Sequence, residues 1–153
     1  MARVAAGVIN YGNDSLGQGE AMGLAQGAWI AGDQALCLGM KATVALNPGD
    51  AVLVDFANGI TNVTKAAAAD SVLRLGIAVS AAAIGQDVVV AVLGMAQAIA
   101  GAAIAQNAAV ATSANAAGQT KTAAAAGAHA QLGEAITAAA GAASLYLLHL
   151  DKA

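Results

Sequence analysis

The chain repeats itself, and that limits its fold more than any other feature. The stretch Gly76-Ile77-Ala78-Val79-Ser80, followed by a small-residue bend and the aliphatic run Val88 to Gly94, returns near the C-terminus. There it reads Gly133-Glu134-Ala135-Ile136-Thr137, an Ala- and Gly-rich bend, and Leu145-Tyr146-Leu147-Leu148-His149-Leu150. Upstream, Leu46-Asn47-Pro48-Gly49-Asp50-Ala51-Val52 aligns with Ile104-Ala105-Gln106-Asn107-Ala108-Ala109-Val110, and Thr64-Lys65-Ala66 with Thr122-Ala123-Ala124. The copies cover 44–94 and 102–150, a period of about 50–60 residues. A solenoid needs about three or more repeats, so two copies indicate a duplicated unit packed on itself.

Within each copy the residues alternate as strands do. Val52, Val54 and Phe56 fall on one face at period two, with Leu53 and Asp55 opposite, and Leu73, Leu75, Ile77 and Val79 alternate again. Asn47-Pro48-Gly49-Asp50 is a strong turn, since Pro presets φ at its first central position and Gly supplies positive φ at the second. Ala57-Asn58-Gly59 lies between two β-type runs, 51–56 and 60–64, the best short hairpin signal. Val88 to Leu93 reads as a strand buried on both faces. The second copy yields strands near 108–113, 118–122, 132–137 and 144–150. The Ala runs 66–69, 123–126 and 138–140 are too short for stable helices and read as loops or single helical turns. The expected class is all-β, a compact β-barrel or sandwich-like unit built from two similar β segments.

Ahead of the repeats, Ala28-Trp29-Ile30-Ala31 and Ala35-Leu36-Cys37-Leu38 flank Gly32-Asp33 as a hairpin would. Trp29 reads as a packing anchor. Residues 1–26 are Gly-rich with no period, and Asn10-Tyr11-Gly12-Asn13-Asp14 is a turn cluster. They read as an irregular N-terminal arm ahead of a β domain at 27–153, disordered or extended until a partner orders it. No signal peptide is read at the N-terminus.

Composition narrows function. Apolar residues make up 59% of the chain but aromatics only 3%, so the core is built from Val, Ile, Leu and Ala. Ala buries little area, which points to further burial between subunits. Charged residues are 10%, far below the usual quarter or so, and the six cations are scattered. Nucleic-acid binding therefore lacks its electrostatic footprint. Cys37 is the single cysteine, so no disulfide forms within the chain.

Chemistry is sparse. His129 and His149 stand apart from other ligand-type residues, and His149 alternates within an apolar strand. There is no phosphate-binding loop, and no Ser-His-Asp or Cys-His set is marked by spacing. Asp50 and Asp55 read as a solvated turn residue and an outward strand residue. Asp14, Glu20, Asp33, Asp70, Asp87, Glu134 and Asp151 are dispersed, most of them at turns. No catalytic residue, cofactor or metal ligand is expected. The apolar run Val88 to Ala105, roughly 18 residues, is at the short edge of a membrane span. Gly94, Gly101 and the missing flanking cations speak against that second reading of the protein as membrane-associated.

The succession Asn47-Pro48-Gly49-Asp50-Ala51-Val52, Thr64-Lys65-Ala66-Ala67, Gly76-Ile77-Ala78-Val79 and Val88 to Gly94, with its second copy, resembles the capsid cement or decoration proteins of tailed bacteriophages. The resemblance covers about two thirds of the chain, from position 44 onward, and leaves residues 1–43 uncovered. It implies a barrel-like protein without enzymatic activity, often a trimer. Such proteins sit on the outer face of the expanded head and clamp neighbouring major capsid subunits. The chain would be made in the host bacterial cytoplasm and end in the virion. The very high Ala content departs from the family pattern.

Overall fold

The structure, a computed structural model, describes residues 35–69, 74–123 and 131–151. The chain divides into two units, Met1–Cys37 and Leu38–Ala153, and the sheet from Leu38 onward is the second. Every regular element among the described residues is a strand, so the all-β class holds. The strands are β1 (Ala35–Ala42), β2 (Ala51–Val54), β3 (Asn62–Lys65), β4 (Arg74–Ala78), β5 (Asp87–Ile99), β6 (Ala109–Thr112), β7 (Thr120–Thr122), β8 (Gln131–Ala135) and β9 (Leu145–Leu150). They form one sheet in the order β1-β3-β2-β4-β5-β9-β8-β6-β7. Trp29, the Gly32-Asp33 turn, residues 1–26 and His129 lie outside the described residues.

The long strand β5 belongs to both halves. Its first part pairs with β4 through Ile77↔Ala91 and Ala78↔Val90. Its second part pairs with β9 from Gly94↔Leu150 to Ile99↔Leu145. Gly94, at φ 94, marks the change from one half to the other inside the strand. Each half also curls back on itself. In the first, Ala42 pairs in parallel with Val63 on β3 and bonds the 85–86 turn. In the second, Ala100 does the same with Thr120 and the 143–144 turn.

Hydrogen bonds repeat between the halves at equivalent residues. Gly49 N–H donates to Ala78 C=O and Asn107 N–H to Ala135 C=O. Val89 N–H donates to the Ser80 hydroxyl and Leu147 N–H to that of Thr137. Leu46 bridges Ala82 as Ile104 bridges Ala139. The first core cluster comprises Ala42, Leu46, Val52, Val63, Ala78, Ala82, Val88, Val90 and Val92. Their counterparts Ala100, Ile104, Val110, Thr120, Ala135, Ala139, Tyr146, Leu148 and Leu150 are all buried too. Gly76 and Gly133 are matched for a steric reason. A Cβ at either would run into a backbone carbonyl on the neighbouring strand, Ala91 or His149.

Several sequence expectations need correction. Phe56 does not continue β2; it enters the 56–58 turn and is 62% exposed. Ile60 likewise precedes β3 and is exposed. Leu75 and Ile77 do not share a face. A bulge opposite Val52/Leu53 inserts one residue, so Leu75 packs on the core cluster while Ile77 lies on the other face from Ala78. The same bulge recurs opposite Val110/Ala111. In the true register Lys65 and Thr122 are equivalent, both opposite the first valine of their hairpin, so the Thr64–Thr122 alignment is off by one. Val88 to Leu93 is buried on both faces only at 90–92; Val89 is half-buried and Leu93 exposed. The apolar run 88–105 is a strand, a bend at Gly101 and the Ile104 bridge, and no helix among the described residues could cross a membrane.

Candidate functional site

Among the described residues no three His, Cys, Asp or Glu side chains gather as a metal site would require. Burial pushes the Cys37 thiol up to about 11, far from a reactive thiolate. His149 is exposed on β9 and pairs across strands with exposed Glu134. These two, with Asn107 and Asp151, line a shallow depression.

Among the described carboxylates Asp50 is the exception to the solvated reading, because it is only 3% exposed. Its Oδ2 accepts from Asn47 N–H at 2.8 Å, closing the Asn47-Pro48-Gly49-Asp50 turn. The same oxygen lies 3.2 Å from Lys65 Nζ, across the β2–β3 hairpin. Burying a carboxylate requires such partners. They explain the buried aspartate as part of the fold. Asp55 is structural as well. Hydrogen bonds, first from the Asn58 side chain, hold its carboxyl below the usual range and fasten the 55–59 turn.

Asp50 also stands at the joint between the two halves. Gly118, at φ 86, lies so close that a Cβ there would meet the Asp50 carboxylate. Gly118 C=O accepts from Ala51 N–H at 2.7 Å, and Gly118 N–H donates to Ala66 C=O at 2.8 Å. Ile99 N–H donates to Gly49 C=O at 3.1 Å, and the missing side chain of Gly49 leaves room for the Ile99 and Leu145 side chains. Sequence reasoning missed this joint because its contacts are made largely by glycines and backbone.

The surface that is best suited to a partner lies at the opposite end of the first half. There β1 passes between two turns. Lys41 N–H donates to Thr61 C=O at 2.9 Å, and Lys41 Nζ reaches Gly85 C=O at 3.2 Å and Asp87 at 3.1 Å. The flanking turns carry Phe56, Ile60 and Ile84, which are 62%, 74% and 70% exposed. Large exposed apolar side chains on the turns at either side of β1 make this end the candidate contact surface. The Lys41–Asp87 pair between them is solvated and contributes little to stability.

No protein-family model matches the chain, and no curated protein does. Among solved structures the fold is similar to the N base of head fiber gp8.5 of bacteriophage phi29. The TM-score is 0.60 at 18% identity, over 77% of this chain and 95% of that one. The fold is thus shared, over 77% of this chain, with the base of a phage head fiber.

Proposed function

We propose that this protein is a structural component of a tailed-phage virion that binds the outer surface of the capsid and stabilises the expanded head. The observation that carries the reading is the fold likeness to the phi29 head-fiber base, which spans 95% of that chain. It agrees with the resemblance of residues 44–150 to the cement proteins. The partner is the major capsid protein, met through the end bearing Phe56, Ile60 and Ile84. The protein works as a homotrimer and without enzymatic activity, cofactor, nucleic acid or membrane. It is made in the host cytoplasm. Binding to the assembled lattice and not to free subunits stabilises the shell by mass action, by about 2.7 kcal/mol per site at 100 times the dissociation constant. Trimerisation adds effective concentration to contacts that are weak singly.

Adding purified protein to expanded heads that lack it, then heating them, tests this reading. Saturating binding with greater survival of the heads supports it; saturating binding with equal survival refutes the stabilising role. The likeness to a fiber base favours one other reading, in which the chain seats a projection on the head. In that case binding saturates at few copies per head and survival is unchanged.

A further inference from the structure

The residues that make the joint between the halves can be followed to the equivalent positions at each outer end, where they change character. Gly49 corresponds to Asn107, since both hold positive φ and both donate to the matching alanine carbonyl. Ala51, Ile77 and Ala91 pair in a row across three strands, on the face away from the first core, and are fully buried. Their counterparts Ala109, Glu134 and His149 pair in the same row, and there Glu134 and His149 are exposed. On the other side of the joint, the cross-strand pair Ile99 and Leu145 sits against Gly49. The equivalent pair at the far end is the salt bridge Lys41–Asp87. The backbone differs as well. Gly118 C=O takes Ala51 N–H across the joint, whereas Thr61 C=O, its equivalent, is occupied by Lys41 N–H within its own half.

We infer that the joint is a head-to-tail interface that the chain closes at both outer ends, so that a second copy cannot extend the array. A heterologous contact of this kind would otherwise propagate into open fibres or rings. The occupant excluded is a second copy of this chain. At the joint itself one half already accepts the other, through Ala51 N–H to Gly118 C=O and Ile99 N–H to Gly49 C=O. Asn107 places a side chain where Gly49 leaves room; a Cβ at Gly49 would lie 2.8 Å from Ile99 Cγ1. Glu134 and His149 put solvated polar groups where Ile77 and Ala91 are dry, and burying an unmatched carboxylate is costly. Lys41 and Asp87 do the same at the other end. Repulsive and desolvation elements of this sort are how edges and repeats avoid self-association. The inference is independent of the capsid reading, and leaves the Phe56–Ile60–Ile84 end to a different partner.

Two variants of the full chain test it. One opens the first end with Lys41→Ile, Asp87→Leu and the 113–118 turn sequence in place of 55–61. The other opens the second end with Asn107→Gly, Glu134→Ile and His149→Ala. Mixed at about 100 µM each, where even weak complexes populate, they should associate in 1:1 stoichiometry into a species heavier than either variant alone. Each alone should keep the mass of the parent. A mixture of folded variants with no complex, or equal self-association of either alone, overturns the inference. A third variant, Gly49→Asn, decides the matter if an opened variant does not fold. It should raise amide exchange at Ile99 and Ala51 at least tenfold while leaving Leu148 protected. Unchanged exchange at Ile99 and Ala51 overturns the inference.

Discussion

The Thr120 hydroxyl lies 2.8 Å from the phenol oxygen of Tyr146, and both residues stand where the first half carries valine, Val63 and Val88. Thr120 Oγ1 donates to Ile99 C=O at 2.9 Å, so the Tyr146 phenol donates to Thr120. A buried polar pair thus replaces an apolar one in an otherwise matched core. Tyr146→Phe should cost about 1 kcal/mol, the ordinary net value of a hydrogen bond. Thr120→Val should cost more, about 1–3 kcal/mol, because it leaves the phenol buried without an acceptor. The double replacement should be less destabilising than the sum. Chemical denaturation of the three variants checks the order.

The same phenol sets an alkaline limit. Burial, against a smaller opposing effect from Thr120, pushes Tyr146 from 10.0 up to about 12. A raised folded pKa contributes stability that is fully present below the unfolded value and lost as pH rises through the folded one. Stability should therefore fall between pH 10 and about 12, by about 2–3 kcal/mol. Tyr146→Phe should flatten that part of the profile. An unchanged alkaline slope would assign it to another group.

Asp55 has the opposite sign. Its folded pKa is lowered, first by the Asn58 side chain, so its contribution is present above the unfolded pKa. It is lost as pH falls through the folded value. Asn58→Ala should reduce the acid sensitivity of the 55–59 turn, measured as amide exchange at Asn58 and Gly59, which donate to Asp55 C=O.

At the joint, Asp50→Ala should cost about 2–4 kcal/mol. It leaves Lys65 partly buried without its counter-charge and frees Asn47 N–H. Gly118→Ala should be comparably damaging, since Gly118 has φ 86 and its Cβ would meet the Asp50 carboxylate. Asp50→Ala/Gly118→Ala should be less than additive, because one change makes room for the other. Thermal unfolding of the four proteins measures the coupling.

Phe56→Ser, Ile60→Ser and Ile84→Ser act on exposed side chains, so each should leave stability within about 0.5 kcal/mol of the parent. If this end meets the capsid, each should weaken binding to heads by about tenfold or more, the equivalent of about 1.4 kcal/mol of lost burial. Co-sedimentation with heads separates the two effects.

Sequence alone determined the strand class and most strand positions, because alternation at period two and turns such as Asn47-Pro48-Gly49-Asp50 act over a few residues. It also showed that the chain carries one pattern twice, since Gly76 and Gly133 must both be small beside a crossing carbonyl. Tertiary structure decided where each face goes. The bulge at Leu75 reverses the side of everything after it, and no local pattern announces one inserted residue. The burial of Asp50 depends on Lys65 and Gly118, which are remote in sequence. Phe56 and Ile77 are both large apolar residues in β-type runs, yet one is exposed and the other fully buried. Hydrophobicity specifies that a side chain gains by leaving water; only the packing of one half against the other specifies which ones do so.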